Sequence, residues 1–214
     1  MRLFRDREEA GRDLAAALAP FRFSRPLVLA IPRGAIPLGA ILARELSGDL
    51  DIVLARKIGA PGNPEFALGA VDESGEILLS PEAGLFGLGP EEAEKARLRE
   101  LAVIRERRRL WGKGRPPVDP AGRTVILVDD GMATGSTIEA ALHFVRKKNP
   151  AELVVALPVA PPEALDRIRP LADRVVCLRV PEDFRAVGQY YASFPQVGDD
   201  EAGGLLGRAA HPPG

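Results

Sequence analysis

The sequence predicts an α/β fold: a doubly wound, mainly parallel central sheet flanked by helices. Two observations lead there. Short apolar runs recur at residues 26–31, 50–55, 124–129, 152–159 and 174–179, with helical segments near 36–47, 135–148 and 161–169 between them. The first run, Pro26-Leu-Val-Leu-Ala-Ile31, is apolar at every position instead of every second one, as suits a strand covered on both faces. Strands that alternate with helices are joined by crossovers, and so run parallel. The chain of 214 residues, 46% hydrophobic and 28% charged, suffices for one sizeable soluble domain, and two full domains would be crowded.

Taken in order, residues 5–19 read as a short helix with Leu14, Ala17 and Leu18 on one face. After the first strand, Pro32-Arg33-Gly34-Ala35 is a turn into the helix near 36–47. The second strand ends at Arg56-Lys57, and residues 58–64, Ile-Gly-Ala-Pro-Gly-Asn-Pro, read as loop. Strands near 66–72 and 76–79 suggest a hairpin around Ser74-Gly75. The longest helix is expected from Glu91 to Trp111. Pro90 suits its first turn, its early charges are acidic, and Arg105, Arg107, Arg108 and Arg109 crowd its end, an order that complements the helix dipole. Those arginines read as a solvated helix face. The last 30 residues lose the strand–helix rhythm.

The stretch Thr124-Val-Ile-Leu-Val-Asp-Asp-Gly-Met-Ala-Thr-Gly-Ser-Thr137 carries the most chemistry. A buried strand delivers Asp129 and Asp130 to its C-terminal end, the edge where open α/β sheets bind ligands. A tight loop follows, and Ser136-Thr137 open the next helix. A helix start preceded by small residues leaves backbone N–H groups free for a phosphate dianion. Thr134, Ser136 and Thr137 add hydroxyl donors, and the two carboxylates can accept hydrogen bonds from vicinal hydroxyls or hold Mg²⁺. A phosphate at one end and a diol at the other describe a ribose phosphate. The other phosphate motifs, Gly-x₄-Gly-Lys-[Ser/Thr] and Gly-x-Gly-x-x-Gly after a strand, do not fit.

Residues 125–137 resemble the 5-phosphoribosyl-1-pyrophosphate (PRPP) signature of the type I phosphoribosyltransferases. Ile31-Pro-Arg-Gly-Ala35 is similar to that family's pyrophosphate loop, and Arg56-Lys57 match a further pyrophosphate-side position. The resemblance implies a single domain over residues 1–214, with an extended flexible-loop and helical insertion at about 66–115 and a tail from about 184 forming part of a base-binding hood. It implies a Mg²⁺-dependent transfer of phosphoribosyl from PRPP to a nucleobase or similar nitrogen acceptor. Asp129 and Asp130 would bind the ribose hydroxyls and the metal. Ala133, Thr134, Gly135, Ser136 and Thr137 would clamp the 5-phosphate. Arg33, Gly34, Arg56 and Lys57 would take up charge on the departing pyrophosphate, and the Pro32–Arg33 peptide would be cis.

Members that salvage 6-oxopurines usually carry an acid at the place of Ala133, so that acceptor class is disfavoured. Glu65, Asp72, Glu73 and Glu76 are the candidates for proton handling, against the plainer reading as surface acids. Phe184, Tyr190, Tyr191 and Phe194 either stack on a base or anchor the tail to the core or to a homodimer partner. A non-catalytic PRPP-binding regulator and a phosphohydrolase are the alternative functions.

Composition narrows the field. The formal net charge of −1 offers no global attraction to nucleic acid or an anionic membrane. Cys177, the one cysteine, cannot form an internal disulfide, and His143 and His211 lack ligand-like spacing. Both Cys177 and His143 read as structural. With no apolar run of membrane-spanning length and no signal-peptide core at Met1-Arg2-Leu3-Phe4, the expected location is cytoplasmic.

Overall fold

The computed structural model describes residues 3–60, 62–112 and 115–209; His211 lies outside them. Five parallel strands form the central sheet in the order β2-β1-β6-β7-β8: β1 (Leu27–Ala30), β2 (Asp49–Ile52), β6 (Thr124–Val128), β7 (Glu152–Val159) and β8 (Arg174–Arg179). Helices α1 (Arg7–Leu18), α2 (Ile36–Glu45), α4 (Ser136–Arg146), α5 (Pro162–Ile168) and α6 (Asp199–Ala209) cover it.

Alternate strand residues feed opposite layers, which is why the runs are apolar throughout. Val28, Ala30, Ile126 and Val128 pack with Leu14, Leu18, Leu38 and Leu42 of α1 and α2. Leu27, Leu29, Val125 and Leu127 pack with Ile138, Leu142 and Val145 of α4 and with Leu165 and Ile168 of α5. Each large side chain so buried contributes about 1.5–3 kcal/mol relative to exposure. The predicted doubly wound α/β class is the one observed.

A second sheet, antiparallel in the order β3-β4-β5, consists of β3 (Ala55–Ala60), β4 (Asn63–Asp72) and β5 (Ile77–Leu79). The hairpin around Ser74-Gly75 is as expected. Residues 58–64, expected as loop, instead belong mostly to β3 and β4. Register shifts at Ile58/Gly59 and Gly59/Ala60 absorb the glycine that reads as a breaker. The second core strand also stops at Ile52, so Arg56 and Lys57 lie on β3.

The long helix α3 (Pro90–Gly112) forms as predicted, but its arginines are not one solvated face. Arg108 is buried between β2 and the hairpin. It donates to Asp51 Oδ1 at 2.6 Å, to Glu73 Oε1 and Oε2 at 2.5 and 2.7 Å, and to the Ile52 carbonyl at 2.8 Å. Removing one member of a buried ionic network leaves uncompensated charge. Arg108→Ala is therefore expected to cost about 3–5 kcal/mol in urea unfolding, against a few tenths for Arg105→Ala on the exposed side.

Helix α6 in the tail is a second departure. Gly203, Gly204 and Gly207 lower its intrinsic helicity. Burial of Ala202 and Leu206 and an acidic first turn of Asp199, Asp200 and Glu201 offset that loss. Among the described residues no helix is long and apolar enough to cross a membrane.

Candidate active site

The strand order reverses between β1 and β6, and loops at such a switch point diverge to leave a ligand crevice. The two strands run in register, Ala30 opposite Val128, and the Ile31 N–H donates to the Val128 carbonyl at 3.0 Å. Residues 31–35 and 129–135 therefore leave the sheet side by side. The Pro32–Arg33 peptide is cis, matching the expectation. Gly34 faces Asp130 so closely that a Cβ there would lie 2.1 Å from Asp130 Oδ2; only glycine fits.

Asp129 and Asp130 form the acidic pole. Asp129 Oδ1 accepts the Asp130 amide at 2.8 Å. Asp130 Oδ2 accepts from Arg7 Nε and Nη2 at 2.9 and 2.8 Å. Arg7 also donates to the Pro195 carbonyl at 2.6 Å and stacks on the Phe194 ring, 3.8 Å from its centroid. Burial raises the Asp129 carboxyl well above the usual carboxylate range, and the charge of Asp130 adds to it. Burial also raises Asp130, with Arg7 opposing. Two crowded carboxylates that hold protons this readily are receptive to a cation or to hydroxyl donors.

The phosphate-type cradle follows. Met132 N–H is tied to the Val159 carbonyl at 3.0 Å. Gly135, at φ +82°, turns the chain into α4 in a conformation that side-chain-bearing residues rarely adopt. Arg167 donates to the Thr134 carbonyl at 3.0 Å and pairs with Glu139 at 2.6 Å, fixing one side of the loop. The amides of residues 133–137 have no acceptor among the described residues. Ala133, Thr134 and Thr137 are exposed, and the Thr134 and Ser136 hydroxyls lie 3.4 Å apart. Free first-turn amides at a helix dipole's positive end are an anion site.

A cationic pole stands on the other side. Arg33 Nη1 lies 3.2 Å from Asp199 Oδ1 of α6, and the same oxygen accepts the Trp111 indole N–H at 2.9 Å. Arg56 pairs with Glu100 of α3 at 2.5 Å. Strand alternation sends the exposed Lys57 to the opposite face of β3. Thus Asp129, Asp130, Gly34 and Arg33 stand beside residues 133–137 at the ends of β1 and β6, while Arg56 lies against α3 and Lys57 on the other face of β3.

The family model described as the phosphoribosyl transferase domain matches residues 6–194, nearly the whole described chain. The chain belongs to the phosphoribosyl transferase family. It is similar to TT1426 of Thermus thermophilus, known from a crystal structure, at 48% identity and a TM-score of 0.87, covering 96% of this chain and 98% of that one. It is also 39% identical, over 213 residues, to Rv0571c of Mycobacterium tuberculosis, a phosphoribosyl transferase by name. That match covers 98% of this chain and 47% of Rv0571c, so the chain spans about half the length of the curated relatives it matches.

In this phosphoribosyl transferase chain, several site residues escaped the sequence reading. Arg7, Arg167, Trp111 and Asp199 come from four different helices and meet the loops only through tertiary packing. The one local signal was Arg7 itself, a cation in the first turn of α1, where the helix dipole favours anions.

The aromatic alternatives also resolve. Tyr190 and Tyr191 are buried, and Tyr191 Oη donates to the Asp130 carbonyl at 2.6 Å, so they anchor the tail beneath the acidic pole. Of the acids considered for proton handling, Asp72 accepts from the Ser74 amide and hydroxyl and the Glu76 amide, Glu73 binds Arg108, and Glu76 pairs with Lys147. The Glu65 side chain lies outside the described residues. Cys177 donates to the Arg179 carbonyl at 3.2 Å, and burial pushes its thiol up to about 11, so it is no nucleophile at neutral pH.

Proposed function

We propose that this chain binds PRPP and transfers its phosphoribosyl group to a nitrogen acceptor of nucleobase type, releasing pyrophosphate. The observation that carries this reading is the adjacency of three elements at one switch point: amides at the start of α4 with no acceptor among the described residues, a half-buried acid pair, and a glycine loop touching that pair. The amides of residues 133–137 with the Thr134, Ser136 and Thr137 hydroxyls take the 5-phosphate. Asp129 and Asp130 accept hydrogen bonds from the ribose 2′- and 3′-hydroxyls. Arg33, the Gly34 backbone and Arg56 face the pyrophosphate, and Lys57, expected there from the sequence, lies on the other face of β3.

As the C1–oxygen bond lengthens, positive charge grows on the ribose and negative charge on the leaving group. Fixed guanidinium and amide donors aimed at the leaving group bind it more strongly as that charge develops, which lowers the barrier. The acid pair faces the ribose, where negative charge is complementary.

No group of three or more His, Cys, Asp or Glu side chains converges among the described residues. A Mg²⁺ ion would be held by the pair Asp129 and Asp130, with substrate oxygens and water completing its shell, a donor set that suits this ion. Bound there, Mg²⁺ would supply further neutralisation of the pyrophosphate. Ala133 offers no proton exchange in the loop, which argues against 6-oxopurines as acceptors.

Wild-type protein incubated with Mg²⁺, PRPP and a panel of bases tests the proposal, with nucleotide and pyrophosphate followed together. Equal appearance of both supports transfer. Pyrophosphate alone indicates hydrolysis, and PRPP binding without turnover indicates a regulator. Arg167 shapes the cradle without touching the ligand. Arg167→Ala is expected to raise the KM for PRPP about threefold to tenfold, the effect of one ordinary hydrogen bond lost from the support of the loop, with kcat nearly unchanged.

A further inference from the structure

Among the arginines near the end of α3, Arg107 is distinctive. Arg97, Arg99, Arg108 and Arg109 each pair with a carboxylate, and Arg105 is exposed to water. Arg107 is half-buried, yet among the described residues no carboxylate or carbonyl lies within hydrogen-bonding or ion-pairing distance of it. Its guanidinium carbon lies 5.7 Å from the Trp111 ring centroid, near the outer limit of a cation–π interaction. A partly desolvated cation with no carboxylate paired to it is unfavourable in the ligand-free protein.

Its surroundings make the situation worse. Glu100, Ile104, Arg107 and Trp111 recur at helical spacing, so they share one face of α3. At one end of that face Glu100 holds Arg56 of β3 at 2.5 Å. At the other, the Trp111 indole N–H meets Asp199 Oδ1, the oxygen that Arg33 also approaches. Arg107 stands between, and its guanidinium loses affinity for its proton through burial first and then through the charges of Arg56 and Arg33. Arg33 and Arg56 thus bring positive charge to the two ends of the face that carries Arg107, and Asp199 and Glu100 provide only partial compensation.

We propose that Arg107 is a direct ligand of the pyrophosphate group, completing a three-arginine site with Arg33 and Arg56. This rests on the phosphoribosyl-transfer reading, and it gives α3 a role in the reaction beyond packing. Pyrophosphate, with its several negative oxygens, satisfies the unpaired cation and relieves the mutual repulsion. A lone 5-phosphate on the α4 cradle does neither.

Equilibrium binding of inorganic pyrophosphate and, separately, of ribose 5-phosphate, each with Mg²⁺, tests it on wild type, Arg107→Ala, Arg107→Lys and the surface control Arg105→Ala. Arg107→Ala is expected to weaken pyrophosphate at least tenfold and ribose 5-phosphate less than twofold. Arg107→Lys should recover part of the loss, and Arg105→Ala should match wild type. Wild type that transfers phosphoribosyl from PRPP while Arg107→Ala binds pyrophosphate normally would overturn this assignment alone. Parallel loss of both ligands would also overturn it, because a displaced α3 and not a missing charge would then be responsible. Wild type that binds neither ligand nor PRPP would remove the reading on which it rests.

Discussion

Asp129→Asn and Asp130→Asn are each expected to cripple PRPP use, with Asp129→Asn gaining more thermal stability than Asp130→Asn. A hydrogen bond to a charged group contributes about 1.5–3 kcal/mol. Losing two such bonds to the ribose diol lowers kcat/KM about 10²–10⁴-fold in the double variant, and each single variant carries part of that loss. The stability effects separate the two residues.

The Asp129 carboxyl is raised in the folded protein by burial and by the neighbouring charge of Asp130. A raised carboxyl binds protons more tightly in the folded state than in the unfolded one. Stability therefore falls as pH rises from the unfolded value of about 3.9 through the folded one, and the full penalty is present above it. Asparagine at 129 removes that charge and can still accept the Asp130 amide. Ligand-free Asp129→Asn should thus unfold at a higher temperature than wild type at neutral pH, by about 2–4 °C for each kcal/mol relieved in a chain of this size. It should also lose the acid-side slope of stability with pH.

Asp130→Asn instead strips the counter-charge from Arg7, whose side chain is 10% exposed. Arg7 keeps the Pro195 carbonyl and the Phe194 ring, but losing its ion pair offsets part of the relief of a carboxyl that burial also raises, so Asp130→Asn should gain less than Asp129→Asn. Scanning calorimetry from pH 4 to 8 beside PRPP kinetics measures both effects, and an unfolding temperature raised as much by Asp130→Asn as by Asp129→Asn would contradict the account of the acidic pole.

Gly34→Ala is the second large effect. The added methyl would meet Asp130 Oδ2 at 2.1 Å and Cγ at 2.7 Å, distances that real contacts do not show. Asp130 cannot retreat freely. Arg7 grips its carboxylate from the helix side and Tyr191 holds its carbonyl. Either the acid rotates out of the diol position or the loop after β1 withdraws, and both separate the two halves of the site. Kinetics should show at least a 10²-fold fall in kcat/KM for PRPP, since a displacement of about 1 Å at a reacting centre suffices for that. Overpacking should cost about 1–3 kcal/mol of stability in urea unfolding. Gly84→Ala is the control, because nothing lies within 4 Å of its Cβ position.

The core sheet was legible because its signal is local: apolar runs such as residues 124–128 announce a strand wherever the partner lies. The loop after β6 was legible for the same reason, since strand, acids, small residues and helix follow one another without interruption. Local reading failed where a residue's meaning depends on a distant neighbour. Arg7 and Asp130 are 123 positions apart, and nothing in the first turn of α1 names that partner.

Arg107 and Arg108 are adjacent in sequence yet face different surroundings. Arg108 is fixed by two acids of the sheet and hairpin, while Arg107 turns toward Trp111. A charge run alone cannot distinguish them. In β3, Gly59 reads as a breaker because the irregular register that accommodates it exists only after pairing. The two tyrosines of the tail were ambiguous between stacking on a base and anchoring, and burial decided it.

The central claim is that amides at the start of α4 receive the terminal phosphate of a ribose phosphate. Amide NMR of ¹⁵N-labelled protein titrated with ribose 5-phosphate tests it most directly. The account predicts saturable shifts concentrated at residues 133–137 with one common dissociation constant. Binding that leaves those five amides unmoved while shifting others would contradict it.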